Sequence, residues 1–141
     1  MSITAGQIEQ RLYDAAPAEL RQSWDNVGLL VGDPAAPVDK VLVALDITRG
    51  TVEEALDKSC SLIVSHHPVM NCAWHPVQTV RSDDEQGWIL TTLIQKSVAA
   101  ICMHTNLDSA QGGVNDALAE VLDLTEVAPL SPDGLGRVGL L

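Results

Sequence analysis

Short apolar runs rich in β-branched residues alternate along this chain with segments whose apolar residues recur at helical spacing. That alternation restricts the fold more than any other feature. Residues 62–64 and 98–103 offer no polar side chain on either face, which marks strands buried on both sides. Residues 38–47 read as a strand dense in β-branched residues that ends at Asp46. Residues 27–31 read as a shorter strand bounded by Gly28 and Gly32. Helices fall between and around them. Residues 51–58 carry Val52, Ala55 and Leu56 on one face, with Glu53 and Glu54 in the first turn. Residues 87–96 turn Ile89, Leu93 and Ile94 inward, and 113–122 group Val114, Leu118, Val121 and Leu122. An opening helix starts at a capping box of Thr4 and Gln7 and runs through Ile8, Leu12 and Ala15. Pro17 ends it or starts a second short turn through Leu20, and residues 70–85 are irregular. Strand, helix, strand, helix in this order implies βαβ crossovers. The expected fold class is α/β: a mostly parallel sheet with helices on its faces, in three layers. At 141 residues, one domain over 1–141 is expected.

Charge narrows the partners. Nineteen acidic residues face eight Lys and Arg, a formal net charge of −11. Nonspecific nucleic-acid binding runs on Lys and Arg neutralising phosphates, so nucleic acid is not an expected partner. No apolar run approaches the ~20 residues that cross a bilayer, and the N-terminus shows no secretory pattern. Cys60, Cys72 and Cys102 form no C-x-x-C pair, and their odd number suits free thiols in a reducing cytosol. A soluble cytoplasmic protein is the expectation. Cys60 and Cys102 lie in or beside apolar segments and read as buried, inert thiols.

The chemistry concentrates at two strand ends. His66 and His67 follow one buried run in Ser65-His66-His67-Pro68, and His104 follows the other in His104-Thr105-Asn106-Leu107-Asp108. The carboxyl ends of parallel strands line the binding crevice of an open α/β sheet. Strands joined by one helical crossover are often neighbours, so the two strings should face each other, with Asp46 sharing that edge. Imidazole and carboxylate are ligands for zinc, iron or manganese, and adjacent histidines can address two ions. A lone histidine after a strand is ordinarily a surface or hydrogen-bonding residue. Asp108 also reads as a turn residue and Asp46 as a helix cap. His75 has no placed partner and reads as exposed, and Trp24, Trp74 and Trp88 read as packing residues. There is no P-loop and no G-x-S-x-G elbow, and Cys102 is a weak nucleophile candidate.

Three strings carry a family resemblance: Ser23-Trp24-Asp25-Asn26-Val27-Gly28-Leu29, Ser65-His66-His67-Pro68, and His104-Thr105-Asn106-Leu107-Asp108 leading to Gly112-Gly113-Val114-Asn115-Asp116. Together they resemble the dinuclear metal-centre family known as GTP cyclohydrolase 1 type 2 homologues, or NIF-three-like proteins. The match runs from about Ser23 to Leu124, and Gly136-Arg137-Val138-Gly139 resembles the family's next stretch. The resemblance implies a two-metal site in an α/β fold within a homo-oligomer, typically a hexameric ring. Carried over, His66, His67 and Asp108 match metal ligands, and His104 matches a residue lining the site. The family's remaining ligands, a His and a Glu one helical turn apart, lie near the C-terminus of a longer chain. This sequence has no histidine after His104 and resembles the family's N-terminal portion.

Two functional expectations follow. In the first, the chain is metal-dependent and hydrolase-like: His66, His67 and Asp108 hold divalent ions, and His104 is a ligand or a catalytic proton shuttle beside the bound water. Cyclohydrolase and phosphoesterase chemistry both suit such a centre, and no motif selects a substrate. In the second, the chain is a non-catalytic metal-binding or oligomer-forming protein. The apolar run at 138–141 looks cut inside a strand. Self-association through an unpaired edge or an apolar face is therefore expected, with a metal site weakened by the missing ligands.

Overall fold

A computed structural model describes residues 2–71 and 76–141. The expectations for Cys72, Trp74 and His75 lie outside the described residues. The elements run β1 (Ile3–Thr4), α1 (Ala5–Ala15), a 3-10 turn (Ala18–Leu20), β2 (Gly28–Val31), β3 (Pro37–Val38) and β4 (Val41–Ala44). They continue with α2 (Arg49–Asp57), β5 (Leu62–Ser65), α3 (Glu85–Gln95), β6 (Ala99–Cys102), α4 (Thr105–Ser109), α5 (Val114–Val121), β7 (Thr125–Pro129) and β8 (Arg137–Leu140).

The central sheet has the order β2-β6-β5-β4. Strands β4, β5 and β6 are parallel and in register, Val43 opposite Val64 and Val64 opposite Ile101. Helices α2 and α3 make the two crossovers between them, as the alternation requires. The expectation of a mostly parallel sheet is corrected at β2, which pairs antiparallel with β6, so the sheet is mixed. The reason is topological. The crossover rule applies where a helix joins two paired strands, and no helix lies between β2 and β4. The long strand expected over 38–47 is also divided: β3 pairs with β1 in a separate ribbon, and only β4 joins the sheet.

Alternation along β5 serves two cores. Ile63 packs with Val52, Ala55, Ile89, Leu90 and Leu93 from α2 and α3. Leu62 packs instead with Ile101, Met103 and residues of α1 and its flanks. Leu62, Ile63 and Ile101 are fully buried, each worth roughly 1.5–3 kcal/mol of transfer free energy. Cys60 and Cys102 are buried, as their apolar settings implied.

Local signals place the helices on these cores. Helix α1 begins in the expected capping box: Gln7 N–H donates to Thr4 Oγ1 at 3.3 Å, and Thr4 N–H to Gln7 Oε1 at 3.0 Å. Thr4→Ala should therefore cost about 1 kcal/mol in a urea melt, and no loss would show that the cap contributes nothing. Gly28, in the first family-like string, has φ +96°, and a Cβ there would lie 2.0 Å from the Tyr13 hydroxyl. Only glycine lets the loop enter β2 against α1.

Residues 125–140 form an antiparallel hairpin of β7 and β8. Arg137 ties it back: its guanidinium binds both carboxylate oxygens of Asp116 and donates to the carbonyls of Ala110, Gly134 and Gly136. The string around Arg137 thus anchors the hairpin to the start of α5. No helix among the described residues is long and apolar enough to cross a membrane.

Candidate metal centre

The carboxyl ends of β4, β5 and β6 lie side by side, and each delivers polar residues to one edge. The β5 exit prolongs its pairing for two residues, with His66 N–H donating to Ala44 O and His67 N–H to Leu45 O. Ser65 Oγ–H donates to His67 O at 2.8 Å, which bends the chain before Pro68. At the β6 exit the chain enters a short helix, α4. Asn106, fully buried, accepts from His104 N–H at 3.0 Å and donates to Ala16 O at 2.8 Å. Asp108 thereby sits one helical turn after His104, and Asn115 Nδ2–H holds its carbonyl at 2.9 Å.

This brings together His66, His67 and His104, a ring nitrogen of each lying within 4.8 Å of the others. Ring centroids are 5.0 to 5.5 Å apart. His66 Nε2 and Asp108 Oδ1 are 3.6 Å apart, too long for a hydrogen bond. Two ligands on one tetrahedral ion at zinc-like bond lengths lie about 3.4 Å apart, so this spacing suits a pair that shares an ion.

The Nδ1 atoms show a common pattern. His66 Nδ1–H donates to Met103 O at 2.9 Å, His67 Nδ1–H to Asp46 Oδ1 at 2.7 Å, and His104 Nδ1–H to Asp25 Oδ1 at 2.9 Å. Carbonyl and carboxylate oxygens only accept, so each neutral ring carries its proton on Nδ1 and keeps its Nε2 lone pair. That is the outer arrangement of metal-binding histidines. The donor set, three such imidazoles and the Asp108 carboxylate, fits a divalent ion of the zinc, iron or manganese kind.

All four residues singled out for the site stand at this edge, and so does Asp46, which shares it through His67. Asp25 stands in the first family-like string, where the sequence by itself assigns it no role. It lies 79 residues before His104, and no periodicity or local spacing connects them. Its side chain is fully buried against His104. Burial pushes the Asp25 carboxyl up, but hydrogen bonds from Thr105, His104 and Asn26 outweigh it and hold the group below the ordinary aspartate value. Trp24, read as a packing residue, is 40% exposed and stands edge-on to His104 at 6.1 Å. Trp88 does pack, partly buried against the α2–α3 core with the Arg49 guanidinium over its ring.

The family model described as Duf34/NIF3 (NGG1p interacting factor 3) matches residues 3–141. A Streptomyces coelicolor protein named GTP cyclohydrolase 1 type 2 homolog is 43% identical over 130 residues, which cover 86% of this chain and 45% of that protein. Among solved structures, reduced HcgD from Methanocaldococcus jannaschii superposes with a TM-score of 0.89 at 31% identity, over 99% of this chain and 54% of that one. A Bacillus cereus protein related to NIF3 gives 0.85 at 34% identity, over 94% and 36%. The chain spans about half the length, or less, of the relatives it matches.

Proposed function

Because this chain belongs to the Duf34/NIF3 family, we propose that it is the metal-binding part of a metal-dependent, hydrolase-like protein with a dinuclear site. The observation that carries this reading is the shared state of the three histidines, each with Nδ1–H on an oxygen acceptor and a ring nitrogen within 4.8 Å of the other two. His66, His67 and Asp108 are the residues that would hold the ions. When bound, a pair of divalent ions supplies activated water and polarises the substrate. The protein's own part is positional. His66 and His67 leave adjacent points of one strand end, so their rings address neighbouring positions. Asp46 holds the His67 ring through Nδ1, and His104 stands beside both rings with Nε2 placed to take or return a proton.

The name carried by the Streptomyces relative suggests a cyclohydrolase, and phosphoester hydrolysis needs the same machinery. Self-association belongs to the same reading. Strand β4 ends the sheet, and beside its open edge Val43 is 78% and Leu45 61% exposed, a surface suited to a second copy.

The test is turnover of GTP and of a simple phosphoester by the chain loaded with zinc or manganese. Hydrolysis above the metal-only blank, abolished by a chelator and reduced at least about 100-fold in His104→Ala, is the expected result. Full metal occupancy with no turnover would overturn the hydrolase and leave a non-catalytic metal-binding protein.

A further inference from the structure

Asp25 is a carboxylate with no exposed surface, and the metal reading leaves it unused. Among the described residues, four donors converge on it. Oδ1 accepts from His104 Nδ1–H at 2.9 Å and from Asn26 N–H at 2.8 Å, while Oδ2 accepts from Thr105 N–H at 3.0 Å and Thr105 Oγ1–H at 2.5 Å. Three of these donors do not belong to His104, so the carboxylate keeps its orientation whatever the ring does. The surroundings are tied as firmly. Thr105 Oγ1 also accepts from Gln22 N–H at 2.9 Å, and Asn26 Nδ2–H donates to Met70 O at 2.9 Å. The 22–26 loop thus staples the segment after His104 to the segment after His67.

We infer that Asp25 is a positioning residue, which fixes His104 as the Nδ1–H tautomer and turns its Nε2 lone pair toward the His66 and His67 rings. An ionised carboxylate offers no proton, so the Nε2–H tautomer would bring an Nδ1 lone pair against a buried negative charge with nothing between them. The tautomer therefore follows from the carboxylate, and the ring plane from its fixed orientation. The consequence for metal rests on the proposed function. The wrong tautomer would aim an N–H at the ion and remove a lone pair from the cluster.

The experiment is long-range ¹H–¹⁵N NMR of the histidine rings in the metal-free chain, at a mildly alkaline pH where imidazoles are neutral. Wild type should show His104 protonated at Nδ1. Asp25→Asn, which keeps the shape and can present an N–H to the ring, should move His104 wholly or partly to Nε2–H while His66 stays unchanged. A wild-type His104 protonated at Nε2 overturns the inference, and needs no variant to fold. An Asp25→Asn spectrum identical to wild type overturns it as well. In the same samples, zinc titration should give a dissociation constant raised roughly 10- to 100-fold in Asp25→Asn. Asp25→Asn binding zinc as tightly as wild type, in a chain that melts normally, would deny Asp25 any hold on the cluster. A wild-type chain that takes up no zinc defeats the metal reading instead, and the tautomer still decides for Asp25.

Discussion

Zinc uptake by His66→Ala is expected to fall more than about 100-fold below wild type, since losing a partner behind a ligand already costs 10- to 100-fold. His66 holds the central place in the cluster. Its ring is 5.1 Å from that of His67 and 5.0 Å from that of His104, and its Nε2 is the nitrogen facing Asp108. Asp108→Ala should lose affinity too, for a different reason: it removes the carboxylate and leaves three neutral nitrogens to balance a double positive charge. The fold should survive both changes. Both side chains are about one-fifth exposed and stand at the sheet edge, His66 after β5 and Asp108 in α4, outside the two cores. Elemental analysis after dialysis, with a calorimetric zinc titration, measures the effect. Unchanged metal content in both variants would remove His66 and Asp108 from the site. Loss in His66→Ala alone would reduce Asp108 to a turn residue, the other reading its position in the sequence allowed.

What was legible in the sequence divides by range. The capping box of Thr4 and Gln7 depends on residues three apart, and it stands as read. The convergence of His66, His67 and His104 depends on two parallel neighbours joined by a crossover, a rule strict enough to place strand ends 38 residues apart. Asp46 was reachable in the same way. The misses lie where no such rule operates. The direction of β2 depends on its pairing with β6, far along the chain, with no crossover helix to set its sense. Asp25 meets His104 only because the 22–26 loop folds across the sheet edge, and nothing local in that string announces a buried carboxylate. Its one signal was the family resemblance of the string, which names positions without giving reasons. Thr105 and Asn106 resisted reading similarly, since their work is to hold Asp25, the His104 backbone and the end of α1. Helix α4, five residues long, is too short for periodicity to show.

Gly87→Ala and Gly50→Ala should move stability in opposite directions, although both replace a glycine near the start of a helix. Glycine inside a helix costs about 1 kcal/mol relative to alanine, so the substitution stabilises wherever a methyl group fits. At Gly50 in α2 the nearest atom to an added Cβ is Thr48 Oγ1, at 3.8 Å. A gain of roughly 0.5–1 kcal/mol is expected there. Gly87 is the third residue of α3, buried, with its N–H on the capping carboxylate of Asp84 at 2.7 Å. A Cβ there would lie 1.9 Å from Arg81 O and 2.5 Å from Arg81 N, which are backbone atoms and cannot swing aside. Either the segment before α3 shifts or the cap opens. Overpacking of this kind costs typically 1–3 kcal/mol and sometimes more. With the backbone itself displaced, a net loss of about 3 kcal/mol is expected in a urea melt. The damage should reach the metal centre, because α3 is the crossover that sets β6 beside β5. Its residues Ile89, Leu90 and Leu93 hold that crossover on the core. Gly87→Ala should therefore weaken zinc binding as well as the fold, while Gly50→Ala leaves it intact. A Gly87→Ala chain as stable as wild type would show that the 81–84 turn yields without cost, and that α3 does not depend on its close approach.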